Sequence, residues 1–226
     1  MNLSPFYART AEIPDADQLI TQIIKAHRTA KREGLLCLEF CADQYAPELT
    51  FFFDKLELPF PVFDEIAYIR FCQVSRHPLV LSRCLLAYRA AKGIMMAEDI
   101  FSLLAVLKVI IRKDELDLEL DPASGEEIDS MLWRGTEVIH FSDLMRCEDR
   151  HLQMLLRELS TEDTASAFSR ASPELRGRML DQCSKGVQSD LRLRMYIGAS
   201  EDKCRLSQEK WLEVLGKLVD AGEIEI

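Results

Sequence analysis

The chain has 226 residues, of which 48% are apolar and 29% are charged, with only 9 glycines and 8 prolines. This composition is typical of a globular protein and excludes general disorder, collagen-like repeats and a disulfide-rich miniprotein. The length suits one large domain or two small ones. The net charge of −10 disfavours binding to nucleic acid and to anionic membranes, because like charges repel.

The sequence predicts a cytoplasmic protein without a transmembrane segment. The longest apolar run, Phe101–Ile111, has 11 residues and contains Lys108, whereas a membrane-spanning helix needs about 20. Residues 1–9 lack the apolar stretch of a signal peptide. The odd number of cysteines, seven, and the lack of any Cys-x-x-Cys motif predict reduced thiols buried in the core.

Helical periodicity dominates the first half of the chain. Apolar residues at i, i+3 and i+4 spacing predict a helix between Asp15, a candidate N-cap, and Gly34, a candidate stop. A second helix is predicted over Leu35–Phe53, with a break before Pro47 left open. After a proline-rich break at 58–61, further helices are expected at about 63–76, 79–91 and 97–111.

An acidic segment then changes the composition. Asp114–Asp129 contains eight acidic residues and no basic one. The alternation in Leu116–Leu120 predicts a short strand, and Asp121–Gly125 has the composition of a turn. We interpret 113–138 as a connector, easily opened, between an N-terminal helical domain at 1–112 and a C-terminal domain at 139–226.

The C-terminal part contains clear sequence signals for the ends of helices. Ser160 begins a sequence resembling a capping box, and Ser172 precedes a proline at the first helical position. Asp149 is expected to cap a helix running to Leu159. Ser207 and Gly222 are expected to bound the last helix.

No enzyme motif is present in the sequence. Glycine-rich phosphate loops, Gly-x-Ser-x-Gly and His-Glu-x-x-His are all lacking, so we predict no catalysis, no cofactor and no small-molecule substrate. Cys37 and Cys41 lie one helical turn apart, and with His27 and Cys72 they could form a zinc site. Because a second ligand pair with zinc-site spacing is lacking, we predict buried thiols and no metal.

The other histidines give no catalytic signal either. We expect no carboxylate partner for His77 or His140. His151 follows Asp149 by two residues but falls in the first turn of a predicted helix. We expect a solvated or capping histidine there, not a general base.

A helix predicted at 172–195 carries charges of both signs. These side chains form either a solvated face with weak ion pairs or an electrostatic docking surface for a protein partner. The candidate partner-binding residues are Glu174, Arg176, Arg178, Asp181, Lys185, Arg192 and Arg194.

Several motifs in the C-terminal part are similar to one family. Phe141-Ser-Asp-Leu144, Glu148-Asp-Arg150 and Gln153-Met-Leu-Leu-Arg-Glu-Leu159 resemble Phe-Glu-Asp-Leu, Asp-Asp-Arg-Ser and Gln-x-Leu-Leu-Arg-Glu-Val of the C-terminal domain of the flagellar motor switch protein FliG. The resemblance continues through Ala171–Arg176 and ends in Ala221–Ile226, covering about 139–226.

The resemblance implies a six-helix, torque-type domain that meets the stator complex through charged residues on one helix. The sequence departs from that pattern at the charged positions. The family's basic residues fall on Ser169 and Gly186, and its paired acids fall near Leu193 and Arg194. Direct torque generation by these charges is therefore not expected.

A weaker likeness concerns the N-terminal part. Residues 19–39, with Ala30-Lys-Arg-Glu-Gly-Leu-Leu-Cys-Leu-Glu39, look like the cytoplasmic helix of the stator subunit MotA, which carries Ala-Arg-Arg-Glu-Gly-Leu-Leu-Ala-Leu-Glu. Chance similarity between helical sequences is the alternative interpretation.

Together these observations predict an all-α protein with two helical parts, the second a bundle or armadillo-like stack similar to the FliG C-terminal domain. The expected function is a non-enzymatic component of the flagellar rotor or switch, or a binder there, in motility or its switching in chemotaxis. Rotor, switch or stator proteins are the expected partners, at the cytoplasmic face of the basal body. The alternative is a helical adaptor that uses this scaffold for a non-motor partner.

Overall fold

The computed structural model describes residues 11–118, 120, 126–134 and 137–224. Contacts within the chain divide it into two units, Met1–Leu118 and Glu119–Ile226. The division falls inside the segment that we interpreted as a connector. In the described parts of both units the elements are helices, apart from one two-stranded sheet in the second unit, so the predicted all-α class is confirmed.

Helices account for most of the first unit. They are α1 (Ala16–Glu33), α2 (Leu36–Phe40), a 3-10 helix (Ala42–Gln44), α3 (Pro47–Phe53), α4 (Phe60–Val74), α5 (Pro78–Met95) and α6 (Ile100–Ile111).

Glycine and proline set the helix ends in this unit. Gly34 ends α1 with a positive φ of 92°, as predicted. The helix predicted over Leu35–Phe53 is broken before Pro47, the alternative that the sequence left open, and its first part is further divided into α2 and a 3-10 turn. Ala46 adopts an extended backbone (ψ 146°) before Pro47, since proline disfavours the helical conformation of the residue that precedes it.

The core of the first unit combines aliphatic and aromatic side chains. α1 contributes Leu19, Ile20, Ile23 and Ile24, all 0–1% exposed. The ring of Phe52 lies 5.8 Å from that of Phe63 and 5.9 Å from that of Tyr88. The Tyr88 hydroxyl donates a hydrogen bond to Asp64 at 2.7 Å, and the Lys92 ammonium pairs with the same carboxylate at 2.8 Å. These polar groups are therefore satisfied at the edge of the core.

The acidic segment differs from its prediction. Residues 116–118 and 120 do not form a strand, and the turn predicted at 121–125 lies outside the described residues. Leu116, Leu118 and Leu120 are nevertheless all buried, while Asp117 is exposed. The alternation therefore marks the buried side correctly, and these three leucines bury apolar surface that an easily opened connector would not.

The second unit begins with a hairpin that the sequence did not predict. β1 (Met131–Arg134) pairs antiparallel with β2 (Glu137–His140), with Leu132 opposite Ile139. The elements that follow are a 3-10 helix (Phe141–Arg146), α7 (Asp149–Glu158), α8 (Thr161–Phe168), α9 (Pro173–Asp181), α10 (Lys185–Ile197) and α11 (Glu201–Asp220).

Serine caps position most of these helices. The Ser160 and Ser172 hydroxyls accept hydrogen bonds from the backbone N–H groups of Asp163 and Leu175, as predicted. The last helix begins earlier than predicted, because Ser200 caps it and Ser207 lies buried within it. The N-cap of α7 is Glu148 and not Asp149.

Three aromatic rings form the centre of the second unit. The Phe168 ring lies 4.9 Å from that of Trp211 and 5.0 Å from that of Phe141, edge to face. Gln208, fully buried, accepts a hydrogen bond from the Ser130 N–H and donates to the Ile128 carbonyl. These contacts fix the segment before β1 against α11, so the hairpin belongs to the packed structure of this unit.

Candidate functional site

The charged residues singled out in the sequence lie on two helices, not on one. The predicted helix at 172–195 is wrong, because α9 ends at Asp181 and α10 begins at Lys185. Ser184 between them has an extended backbone, with ψ of 155°. Because the chain turns between the helices, one continuous charged helical face does not exist.

Arg178 has a structural role in the second unit. Its guanidinium donates hydrogen bonds to the backbone carbonyls of Leu144, Met145 and Cys147, at the C-terminal end of the 3-10 helix. It also lies 3.3 Å from the Asp149 carboxylate. A helix end leaves carbonyls without partners, and a cation is favoured there. Arg178 therefore fixes α9 to the 3-10 helix and is not a free docking residue.

Two more of the arginines are only half exposed. Arg176 donates a hydrogen bond to the Ser169 carbonyl at 3.2 Å, and burial lowers the pKa of its guanidinium while Glu127 opposes that effect. Arg194 pairs with Asp190 one helical turn away, at 2.9 Å. Both arginines already have partners within the unit, which reduces their availability to another protein.

The other four candidate residues are open to solvent. Lys185 and Arg192 are exposed on α10, and Glu174 and Asp181 are exposed on α9. Within the described residues, none of these four forms an ion pair. Lys185 and Arg192 are seven residues apart, so they project from the same side of α10. We call this pair the α10 basic pair.

The same helix also contributes Val187 and Leu191 to a groove with a volume of about 410 Å³, which Lys185 and Arg192 do not line. Its apolar lining comes from Leu156, Leu159, Val187 and Leu191, of which Val187 remains 43% exposed. The lining also includes polar side chains, and the amide of Gln153 donates to that of Gln182 at 3.1 Å. The polar lining residues are Gln153, Arg157, Thr161, Thr164, Gln182 and Ser184.

The resemblance implies that the family's charges fall at positions that include Ser169 and lie near Leu193, and neither of these residues is open to solvent. Ser169 is 1% exposed, and its hydroxyl donates to the Ser166 carbonyl at 2.8 Å. Leu193 is 4% exposed and part of the buried surface of α10. Because two of these positions face the interior, charges there would be costly to bury.

The cysteines depart from their prediction. Cys84, Cys147 and Cys204 are buried as expected, but Cys37 and Cys41 are only partly buried and Cys72 is exposed. The Cys37 thiol donates a hydrogen bond to Glu33 at 3.0 Å, which raises its pKa to about 11. Within the described residues, no group of three or more His, Cys, Asp or Glu is arranged to hold a metal ion.

Two histidine predictions also need correction. His151 is buried, at 4% exposure, and its Nδ1 has no hydrogen-bond partner in the described structure; the expectation of a solvated or capping histidine is wrong. His140 does have a carboxylate neighbour, since its Nδ1 lies 3.5 Å from Asp129. The Asp143 carboxylate accepts from the His140 backbone N–H, which makes His140 part of the cap of the 3-10 helix.

The fold and this surface define a helical domain with an exposed basic pair and a groove. Residues 119–226 match the family model described as the FliG C-terminal domain. The flagellar motor switch protein FliG of Thermotoga maritima is 34% identical over 88 residues, which are 38% of this chain and 26% of the relative. The match to the FliG C-terminal domain therefore covers the second unit, and the aligned region spans about a quarter of the relative's length.

The observed elements can be compared with what the resemblance implied. The described part of the second unit contains five α-helices and one 3-10 helix, which together give the six helical elements that the resemblance implied. In the parts of the chain that are described, no helix is long and apolar enough to cross a membrane.

Proposed function

We propose that this protein acts without catalysis at the bacterial flagellar motor switch or rotor, through contacts with rotor, switch or stator proteins. The observation that supports this proposal best is the FliG C-terminal domain in the second unit. The proposal places the protein at the cytoplasmic face of the basal body. The proposal covers two roles, a component of the switch and a separate protein that binds to the switch.

The contact surface that we propose comprises the α10 basic pair and the groove that Val187 and Leu191 of the same helix line. Lys185 and Arg192 are exposed and without ion pairs in the described structure, so they retain their charge for a partner. Such charges chiefly set the orientation and rate of association. The apolar side chains of the groove would supply the area that stabilises the complex.

This surface differs from the charge pattern of the family. Ser169 and Gly186 stand where the family carries basic residues, and Ser169 is buried. The role that we propose is therefore binding or modulation of the motor and not torque generation through those positions. Lys185 and Arg192 would provide the electrostatic contact instead.

Localisation in flagellated cells tests the proposal. A fluorescent fusion of the full chain is expected to form foci at flagellar bases, and the double variant Lys185→Glu/Arg192→Glu is expected to lose many of them. The control is Lys25→Glu/Lys31→Glu, which makes the same change of charge at two exposed positions of α1. Uniform fluorescence of the unmodified chain would contradict a motor role and favour the adaptor alternative.

A further inference from the structure

The groove of the second unit has one charged side chain among the described residues that line it, and that side chain is basic. Arg157 is exposed and forms no ion pair in the described structure. No aspartate or glutamate belongs to the described lining, although the whole chain has 38 acidic residues against 28 basic ones. The electrostatics of the groove therefore favour an anion over a cation.

The N-terminus of α10 lies at this groove and is open. Ser184, the N-cap of α10, lines the groove, but its hydroxyl accepts no hydrogen bond from the first turn. That turn also contains no acidic residue. The first backbone N–H groups of a helix have no partner within the helix, and together with the helix dipole they attract anions. The first turn of α10 can therefore donate to an anionic group in the groove.

The acidic residues nearest to the groove in the sequence do not line it. They are Glu158, Glu162, Asp163 and Asp181. Glu162 pairs with Lys203 of α11, and the Asp163 carboxylate lies 2.9 Å from the Lys210 ammonium of the same helix. Glu158 and Asp181 are exposed to solvent, which screens their charges. None of the four therefore cancels the attraction of the groove for an anion.

A second, independent feature of the groove is the hydroxyl of Thr164. Thr164 lines the groove and is only 1% exposed. Its side chain forms no hydrogen bond in the described structure, and the Ser160 carbonyl one turn earlier already accepts from the backbone N–H of Thr164 at 2.9 Å. A buried hydroxyl without a partner destabilises a folded protein. A ligand oxygen in the groove would provide the missing acceptor.

The rest of the groove is apolar and has the size of a small molecule. Leu156, Leu159, Val187 and Leu191 form its apolar lining. Its volume of about 410 Å³ lies within the range of roughly 300–1,000 Å³ that is common for small-molecule sites. A ligand that suits both the apolar and the polar parts of the lining has an apolar body and one anionic group.

We propose that the groove binds a small organic anion, a carboxylate or a phosphate monoester with an apolar body. The anionic group lies at the N-terminus of α10, where backbone N–H groups donate to it and Arg157 compensates its charge. The Thr164 hydroxyl donates to one of its oxygens, and the apolar body packs against the leucines of the groove. Binding is a property of this chain alone. Only the consequence that the ligand competes with a protein partner for the groove rests on the proposed function.

Isothermal titration calorimetry of the full chain with four probes tests the proposal. Octanoate and octyl phosphate carry the two kinds of anionic group on the same apolar body, 1-octanol has that body without a charge, and inorganic phosphate has the charge without the body. At least one octyl anion is expected to bind with a Kd of about 1 mM or less, and at least about tenfold more tightly than 1-octanol or inorganic phosphate. The octyl anion that binds more tightly identifies the anionic group.

Substitutions assign the binding to the groove. Arg157→Gln is expected to raise the Kd about tenfold, because it removes a charge-assisted hydrogen bond. Arg192→Gln is the matched control, since it removes the same charge from an exposed position that does not line the groove, and it should leave the Kd unchanged. Thr164→Val is expected to weaken binding several-fold without lowering the free energy of unfolding, because the hydroxyl has no partner within the chain. Thr164→Ser should retain binding.

Four outcomes would overturn the proposal. If neither octyl anion binds up to about 10 mM, the groove does not take this class of ligand. If 1-octanol binds as tightly as the anions, the groove is only an apolar surface. If Arg157→Gln and Arg192→Gln have equal effects, the anion binds elsewhere. If Thr164→Val lowers stability, the hydroxyl already has a partner in the fold. None of these outcomes affects the localisation experiment, which tests the flagellar role separately.

Discussion

The guanidinium of Arg178 donates a hydrogen bond to the backbone carbonyl of Cys147, 31 residues earlier in the chain. Two further carbonyls, of Leu144 and Met145, accept from the same side chain. One arginine on α9 thus satisfies the end of the 3-10 helix, which has few other partners for its carbonyls. A side chain that appears as a surface charge in the sequence is therefore part of the packing of the unit.

The first prediction follows from this arrangement. Arg178→Ala should lower the free energy of unfolding by about 1–3 kcal/mol, because it leaves partly buried carbonyls without donors. Urea denaturation of the full chain, followed by circular dichroism, measures the change. Arg192→Ala, at an exposed and unpaired arginine of α10, should change stability by less than about 0.5 kcal/mol. Equal effects of the two substitutions would show that Arg178 is only a surface charge.

A second prediction compares two adjacent leucines of α7. Leu155 is fully buried, whereas Leu156 is half-buried and lines the groove. Leu155→Ala should cost about 2–5 kcal/mol of stability, because it removes core contacts and leaves a cavity. Leu156→Ala should cost clearly less, while it weakens partner binding. The urea midpoints of the two variants, compared where the unfolding free energy depends equally on urea concentration, measure both changes in stability. A larger loss of stability for Leu156→Ala than for Leu155→Ala would contradict the orientation of α7.

Local sequence signals were sufficient to predict helix ends that depend only on neighbouring residues. Ser160, Ser172 and Gly34 mark helix ends because a side-chain cap or a positive φ acts on the nearest residues only. The β1–β2 hairpin was missed because each strand has four residues, too few for a clear alternation. Its stability depends on distant contacts, such as those around Gln208 and Trp211, which a local pattern does not contain.

The same limit applies to the candidate site. The sequence identified seven charged residues as candidates for partner binding. It could not show that Lys185 and Arg192 are exposed to solvent, whereas Arg178 donates hydrogen bonds to backbone carbonyls 31–34 residues earlier in the chain. The groove arises where three helices and a turn meet, so no contiguous segment encodes it. Its lining residue Leu156 lies next to the core residue Leu155 in the sequence, and only packing distinguishes their roles.

The third prediction concerns the reactivity of Cys37. Its pKa is raised to about 11, chiefly by the hydrogen bond to Glu33, and a raised pKa lowers the fraction of reactive thiolate. Glu33→Gln removes the negative charge and should lower that pKa, so alkylation of Cys37 by iodoacetamide should become several times faster at mildly alkaline pH. Mass spectrometry of the labelled peptides measures the rate. Cys72 in the same sample is the internal control, and an unchanged rate at Cys37 would contradict the assigned cause.

The fourth prediction tests the two units as folding units. The division between them follows Leu118, within the acidic segment that was predicted to open easily. Limited proteolysis should cut between 114 and 127, ahead of the segment that Gln208 fixes against α11, and release a C-terminal fragment that keeps its helical circular dichroism, because each unit has its own core. Fragments are identified by intact mass. Cuts spread evenly along the chain, or a fragment that unfolds on release, would show that the two units depend on each other.

The last prediction distinguishes the effect of the charges on α10 on partner binding from their effect on the stability of the second unit. The double reversal Lys185→Glu/Arg192→Glu should weaken binding to a rotor, switch or stator protein, and the loss should be greatest at low salt, because exposed charges act over about 10 Å at 0.1 M ionic strength. The same change should hardly affect unfolding, since neither side chain forms an ion pair in the described structure.

Binding measured at several salt concentrations, together with swimming speed and reversal frequency, checks this prediction. We expect altered binding and altered motility regulation but not paralysis, because the resemblance implies that the family's basic residues fall on Ser169 and Gly186, which carry no charge. Lys25→Glu/Lys31→Glu on α1 controls for net charge. If both double variants weaken binding equally, the effect comes from overall charge. If neither does, the α10 basic pair is solvated surface and the groove alone must carry the interaction.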